Sequence, residues 1–266
     1  MIKTNVYFNL AVCMIRKTIV ISILLSLFRC SPSFADSPIK IAAGQSSGLY
    51  YSTAASLCTV LKKETKNECE VVITSGSEEN KELLNKEKVN FALMQENLIS
   101  PNLVRVKKLY LEHLFILYKG AKKDSLQEIS KMTYSIDKNS GTYSIAETLF
   151  RKLNLKFTPV STDNLKKEFD DFCDKAVQVR FYNIGYPSDL IETTLLQCNG
   201  INIYSLSQSE IDKLSIDDVS RIHYLNQDLN MVVTNVFLVS KKTDGKTKQI
   251  LEKYNEYIMS TNSHIK

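Results

Sequence analysis

From Asp36 onward the chain alternates repeatedly between short apolar runs and longer amphipathic stretches. That alternation is the pattern of an α/β protein, in which strands and helices succeed one another in layers. Ile39–Ala43 reads as a first strand, and Leu49–Lys63 as a helix with Tyr50, Tyr51, Ala54, Ala55, Leu57, Cys58 and Leu61 on one face. Strands are predicted at 70–74, 89–95, 113–119, 133–136, 177–183, 201–206 and 232–240. Helices are predicted at 77–86, from the 139–142 turn to 153, at 188–197 and at 246–259. Ser77 is expected to cap the second helix.

The segment before this alternation has a different character. Arg16 and Lys17 precede the apolar run Thr18–Phe28, and Ser33-Phe34-Ala35 supplies small residues for cleavage before Asp36. This is the order of a secretory signal, and the run is shorter than the ~20 residues a membrane span needs. A cleavable signal peptide over residues 1–35, and a periplasmic mature chain, are therefore expected. Met14 is an alternative start. Arg29 before Cys30 argues against a lipid-modified cysteine. Lys3, Arg16, Lys17 and Arg29 would leave with the signal, taking four of the five surplus positive charges. What remains is nearly neutral, which excludes a basic nucleic-acid binder.

Four cysteines then remain, Cys58, Cys69, Cys173 and Cys198, with no CxxC unit and no zinc-type spacing. Four cysteines allow three pairings. Local pairing, Cys58 with Cys69 and Cys173 with Cys198, is favoured if each closes a helix-to-strand excursion; free buried thiols are the alternative.

Enzymatic signatures are missing. There is no HExxH, no GxSxG, no Walker A ending and no EF-hand spacing, and His113, His223 and His264 form no cluster. Neither a metal nor a cofactor is expected. His113 reads as a core or crossover residue. The informative features are three turns before helices, Gln45–Gly48, Ser75–Ser77 and Ser140–Thr142. A helix N-terminus presents open N–H groups, so small and hydroxyl residues there suit a carboxylate. Glu78 and Glu79 make the second turn a poorer anion site. Arg105–Lys108 and Lys119–Lys123 read either as a docking surface or as solvated helix ends.

The segment IKIAAGQSSGLYYSTAASLCTVL resembles the start of the TAXI family of solute receptors, which serve TRAP-type transporters. GSEENKELL (Gly76 to Leu84), VNFALMQEN (Val89 to Asn97), NSGTYSIAETLF (Asn139 to Phe150) and GYPSDLIETTL (Gly185 to Leu195) follow in the family's order. The resemblance implies a two-lobed type II periplasmic binding protein, each lobe a mixed sheet flanked by helices, with the strands at 113–119 and 232–240 as crossovers. Lobe one would be residues 36–115 and 233–266, and lobe two 116–232. It further implies capture of a small organic-acid or amino-acid solute, glutamate-like or another carboxylate, and delivery to an integral membrane permease. The receptor would be a monomer and not an enzyme. The ligand residues it implies are Ser47, Gly48, Tyr50, Tyr51, Ser77, Asn80, Gln95, Ser140, Gly141, Thr142, Tyr186 and Pro187. Some members carry paired cysteines at the positions of Cys58/Cys69 and Cys173/Cys198. Ser46-Ser47, Asn90 and Asn97 depart from the family's usual Gly and Asp. A surface protein that keeps the fold without transport, or an exported hydrolase, are the competing expectations.

Overall fold

The computed structural model describes residues 37–46, 48–138, 140–161, 165–174, 177–242 and 245–252. The segment expected to be a signal peptide and Ser47 lie outside them. Ten strands are described: β1 (Ile39–Ala42), β2 (Cys69–Val72), β3 (Phe91–Gln95), β4 (Val104–Lys119), β5 (Ser135–Ile136), β6 (Val160–Ser161), β7 (Val179–Gly185), β8 (Ile201–Ile203), β9 (Val219–Tyr224) and β10 (Gln227–Ser240). The helices are α1 (Leu49–Thr65), α2 (Ser77–Asn85), α3 (Leu126–Ile129), α4 (Gly141–Lys152), α5 (Leu165–Cys173), α6 (Asp189–Gln197), α7 (Gln208–Ile211) and α8 (Gly245–Glu252).

Eight strands form one mixed sheet in the order β2-β1-β3-β10-β4-β7, with β8 on β4 and β9 on β10; β5 and β6 pair separately. β1 is parallel to β2 and β3, as expected when each is linked to the next by a crossover helix. β10 then runs antiparallel to both β3 and β4. β4 and β10 are the two long strands, and each passes from one hydrophobic core into another.

The first pair of cores is built from Ile41, Leu57, Leu61, Leu93, Val236 and Leu238 on one side of β1 and β3, and Leu84, Met94 and Val239 on the other. The second pair holds Leu114, Ile116, Phe150 and Phe181 on one face, and Phe115, Leu117, Phe172 and Ile191 on the other. Even-numbered residues of β4 enter one of these second cores and odd-numbered residues the other, as the strand period requires. Where β4 and β10 cross between the two pairs of cores, the register is Thr234 opposite Glu112 and Val233 opposite His113. Polar side chains therefore sit at the changeover. In the second pair, Tyr134, Phe150, Phe157 and Phe181 stack edge and face, the closest centroids 4.9 Å apart.

Several expectations change in detail. The strand expected at 113–119 begins nine residues earlier, at Val104, because Val104–Lys108 pairs with β10. Arg105–Lys108 is thus strand, not a helix end. α5 and β9 were not anticipated. Ser77 is not a cap: Gly76 takes that place with φ 125°, a left-handed-side value that favours glycine. The hydroxyl of Ser77 is thereby released for other contacts.

Both local cysteine pairs are bridged, with Cα–Cα distances of 5.3 Å for Cys58–Cys69 and 4.9 Å for Cys173–Cys198. The first ties α1 to the start of β2. The second joins the end of α5 to the end of α6, not a helix to a strand. Among the described residues no helix is long and apolar enough to cross a membrane, and no His/Cys/Asp/Glu group could hold a metal ion.

Candidate functional site

The residues expected at the site fall into distinct surroundings. The largest group converges where β3, β4 and β7 meet the first turns of α1, α2 and α4. Tyr50, on the first turn of α1, shares a hydrogen bond of 3.1 Å with Ser77 Oγ, and Ser77 Oγ accepts the Gln95 backbone N–H at 3.1 Å. Gln95 Nε2 donates to Glu112 Oε2 at 2.8 Å, and Asn183 Nδ2 donates to the same oxygen at 2.7 Å. The Asn183 backbone N–H in turn reaches Thr142 Oγ1 at 3.4 Å. One polar chain thus runs from α1 through α2, β3, β4 and β7 to α4.

Glu112 is the unexpected centre of this chain. It is 4% exposed, and Gln95 is 5% exposed. Burial raises the Glu112 carboxyl to a pKa of about 8, against the smaller opposing effect of the Gln95 and Asn183 hydrogen bonds. Burial, then the neighbouring Glu112 and Tyr110, pushes the Tyr50 phenol well above its ordinary value. His113, the next residue along β4, points to the opposite face, where burial lowers its pKa and its ring meets Tyr186 edge-on at 6.1 Å. Sequence reasoning began its strand at His113 and so passed over Glu112. The available signal was an acid embedded in LYLEHLFILY, since carboxylates are rarely buried without a partner.

The start of α4 borders a cavity. Ser140 is its N-cap and accepts from Tyr143 N–H at 3.2 Å, which leaves the N–H groups of Gly141 and Thr142 as its free donors. Beside it, β7 separates from β5 beyond the Tyr134–Val179 bridge. The gap is a cavity of about 480 Å³ lined by Asp137, Ser140, Thr142, Phe169, Arg180 and Tyr182, among others. Arg180 was not foreseen; it stands over the rings of Tyr182 and Phe169 at 4.7 and 5.6 Å. At the α2 terminus a carboxylate of the helix folds back over the preceding turn. Glu79 Oε2 accepts from Ser75 N–H and Oγ at 2.7 and 2.9 Å.

Other expected residues lie apart. Asn80 is fully buried and braces the ends of β1 and β3: Nδ2 donates to the Ala43 and Leu93 carbonyls, and Oδ1 accepts from Thr74 Oγ1. Tyr186 and Pro187 follow β7 on its His113 face, and the Tyr186 hydroxyl donates to the His223 carbonyl at 2.9 Å. Gly48 is the N-cap of α1 with no side-chain cap bond, and Tyr51 is half-buried on that helix.

Gly141 is required by proximity. A Cβ there would stand 2.1 Å from Gln95 Oε1 and 2.6 Å from its Cδ. Gly141→Ala is expected to push the Gln95 amide off Glu112 at a cost of about 1–3 kcal/mol, read as a lowered urea midpoint. An unchanged midpoint would mean that the amide has somewhere else to go.

Comparison with known proteins places these features in context. Residues 41–103 match the model of the NMT1-like family, a span that covers β1 to β3 and both of the first two helices. No curated protein matches the chain by sequence. Among solved structures, the GluR0 ligand-binding core in complex with L-glutamate superposes with a TM-score of 0.57 at 10% identity, covering 85% of this chain and 96% of that one. An ABC-transporter periplasmic binding protein from Brucella ovis with glutathione bound gives 0.57 at 10% identity, covering 86% of this chain and 70% of that one. The effector-binding domain of QuiR in complex with shikimate gives 0.53 at 12% identity over 82% and 94%. The fold is that of the two-lobed, type II periplasmic binding proteins.

Proposed function

We propose that the chain is an exported solute receptor of the TAXI type, which captures a small carboxylate-bearing solute and hands it to a TRAP-type permease. The observation that carries this reading is the cavity beside the start of α4. There Ser140 and Thr142 at the start of α4 and Arg180 border one space of about 480 Å³, together with Asp137 and Asp170. An anion in that space would meet a helix N-terminus and a guanidinium together. In this reading the lobes are residues 36–115 with 233–266, and 116–232, joined by β4 and β10. The two disulfides fit an oxidising compartment such as the periplasm. The neighbours with glutamate, glutathione and shikimate bound are all ligand-binding domains of the same fold, which supports capture rather than catalysis.

Thermal denaturation of the purified protein with mono- and dicarboxylates, including glutamate and glutarate, tests the reading. A solute at a hundred times its dissociation constant should stabilise by about 2.7 kcal/mol. Thr142→Val, which removes a hydroxyl from the cavity wall, should weaken that solute at least about tenfold, the loss of roughly one charge-assisted hydrogen bond. If no carboxylate shifts the transition at millimolar concentration, the proposal fails.

A further inference from the structure

A second cavity, of about 340 Å³, lies against the later turns of α4. Ser140 and Thr142 border the first cavity, whereas Ile145, Thr148, Leu149 and Lys152 border this one. Those four positions recur at three- and four-residue intervals and so form one stripe of the helix. Val232 on β10 extends the apolar wall, packed against the core that holds Ile145 and Leu149. Glu96 and Asn97, just beyond the end of β3, stand on the wall as well, and Asn97 Nδ2 donates to Ser144 Oγ at 2.9 Å. The space therefore lies between the two pairs of cores.

Its wall carries polar groups to which the fold gives no partner. Thr234 is 8% exposed, and among the described residues its hydroxyl has no hydrogen-bond partner. It stands two residues after Val232 on β10, so the strand period turns its side chain to the same face, toward α4. Asn235 Oδ1 is enclosed and also without a partner, while its Nδ2 donates to Glu96 Oε2 at 2.7 Å. Buried groups of this kind are seldom left unmade, because each forfeits its hydration for nothing. Gln95 Oε1 and Asn183 Oδ1 are enclosed in the same way, but neither residue lines this cavity or the first. Charge on the wall is one-sided: Glu96, Asp217 and Asp218 face the single cation Lys152. Lys152 is taken by Asp218, and Arg105 lies 3.6 Å from Glu96. Asp217 has no described ion pair.

We propose that this cavity is a binding site for an organic cation, a primary amine carrying an apolar chain, separate from the solute site at the start of α4. An ammonium group has three donors and no acceptor, which suits the Thr234 hydroxyl, Asn235 Oδ1 and a wall carboxylate together. Its chain would lie along Ile145, Leu149 and Val232, away from water. An anion of the same shape would meet carboxylates in excess, and an alcohol would bring one donor and no charge. The proposal does not depend on the receptor reading.

Isothermal titration of the purified protein with hexylamine, 1-hexanol and hexanoate tests the site. Hexylamine should bind at least about tenfold tighter than hexanol, the worth of one charge-assisted contact, and hexanoate should bind weakest. Thr234→Val removes a hydroxyl that has no partner, so the urea midpoint should hold while hexylamine weakens at least about threefold. Thr148→Phe, which fills the cavity from the α4 side, should abolish binding. Thr142→Val, at the first cavity, should leave hexylamine binding unchanged. Hexanol or hexanoate binding as tightly as hexylamine would overturn the proposal, as would no hexylamine binding at millimolar concentration. Hexylamine that is weakened by Thr142→Val and untouched by Thr234→Val would belong in the first cavity, which also overturns it. Should Thr148→Phe fail to fold, the contrast between Thr234→Val and Thr142→Val decides alone.

Discussion

Glu112→Gln is expected to stabilise the ligand-free protein at pH 8 and to leave its stability nearly unchanged at pH 4. The folded carboxyl titrates near pH 8, whereas an exposed glutamate titrates at 4.5. Below pH 4.5 both states hold the proton, and the group is neutral in the balance. As the pH rises from there, the unfolded chain gives up its proton while the folded chain keeps it. The unfolded state then binds fewer protons, so stability falls with pH until the folded carboxyl also ionises near pH 8. The accumulated penalty is on the order of 4 kcal/mol, at 1.36 kcal/mol per unit. Glutamine carries no such penalty. Its carbonyl can still accept from Gln95 and Asn183, and its amino group can serve their unpartnered oxygens. Urea titrations of both proteins across pH 4 to 9 should diverge progressively and then run parallel. Two curves that stay parallel throughout would show that Glu112 is ionised in the fold.

The second large effect is expected at the disulfides. Cys58–Cys69 and Cys173–Cys198 close loops with sequence separations of 11 and 25. Chain-entropy estimates give each about 3 kcal/mol. The bridges belong to different cores, the first with Leu57 and Leu61 and the second with Phe172 and Ile191. Their losses should therefore add. Replacing each pair with serine, singly and together, and measuring urea midpoints without reductant tests this. A double-pair variant no weaker than either single-pair variant would mean that the cores are not independent.

Much of the fold was legible because its signals are local. Apolar runs such as Phe91–Gln95 and the stripe of α1 state their own period, and the cysteine pairs close over short distances. Where pairing is distant, the sequence was silent. Val104–Lys108 is charged and reads as solvated, yet β10 recruits it into the sheet from more than a hundred residues away. α5 and β9 were missed even though turn and cap residues, Asp163-Asn164 and Asp217-Asp218, stand directly before them. The site divides along the same line. Tyr50, Ser77, Gln95, Gly141 and Thr142 announced themselves by standing beside turns. Glu112, Asn183 and Arg180 lie in strand interiors, and only the assembled sheet brings them to the others. Ser77 shows the limit of local reading most directly. Its expected role as a cap depended on its neighbours in sequence, whereas its actual partners, Tyr50 and Gln95, come from other elements.

β4 and β10 pass between the pairs of cores as an antiparallel ladder, paired at Asn235–Leu111, Thr234–Glu112 and Val233–His113. A two-stranded ribbon resists sliding, since each step of shear breaks hydrogen bonds between the strands. Flexing out of its plane only spreads small dihedral changes along both strands. Any relative movement at this waist is thereby steered toward one degree of freedom. On such a flexing ribbon one face is compressed while the other is stretched. Glu112 lies on one face and His113 on the other, so a single bend would tighten the surroundings of the acid as it loosens those of the imidazole.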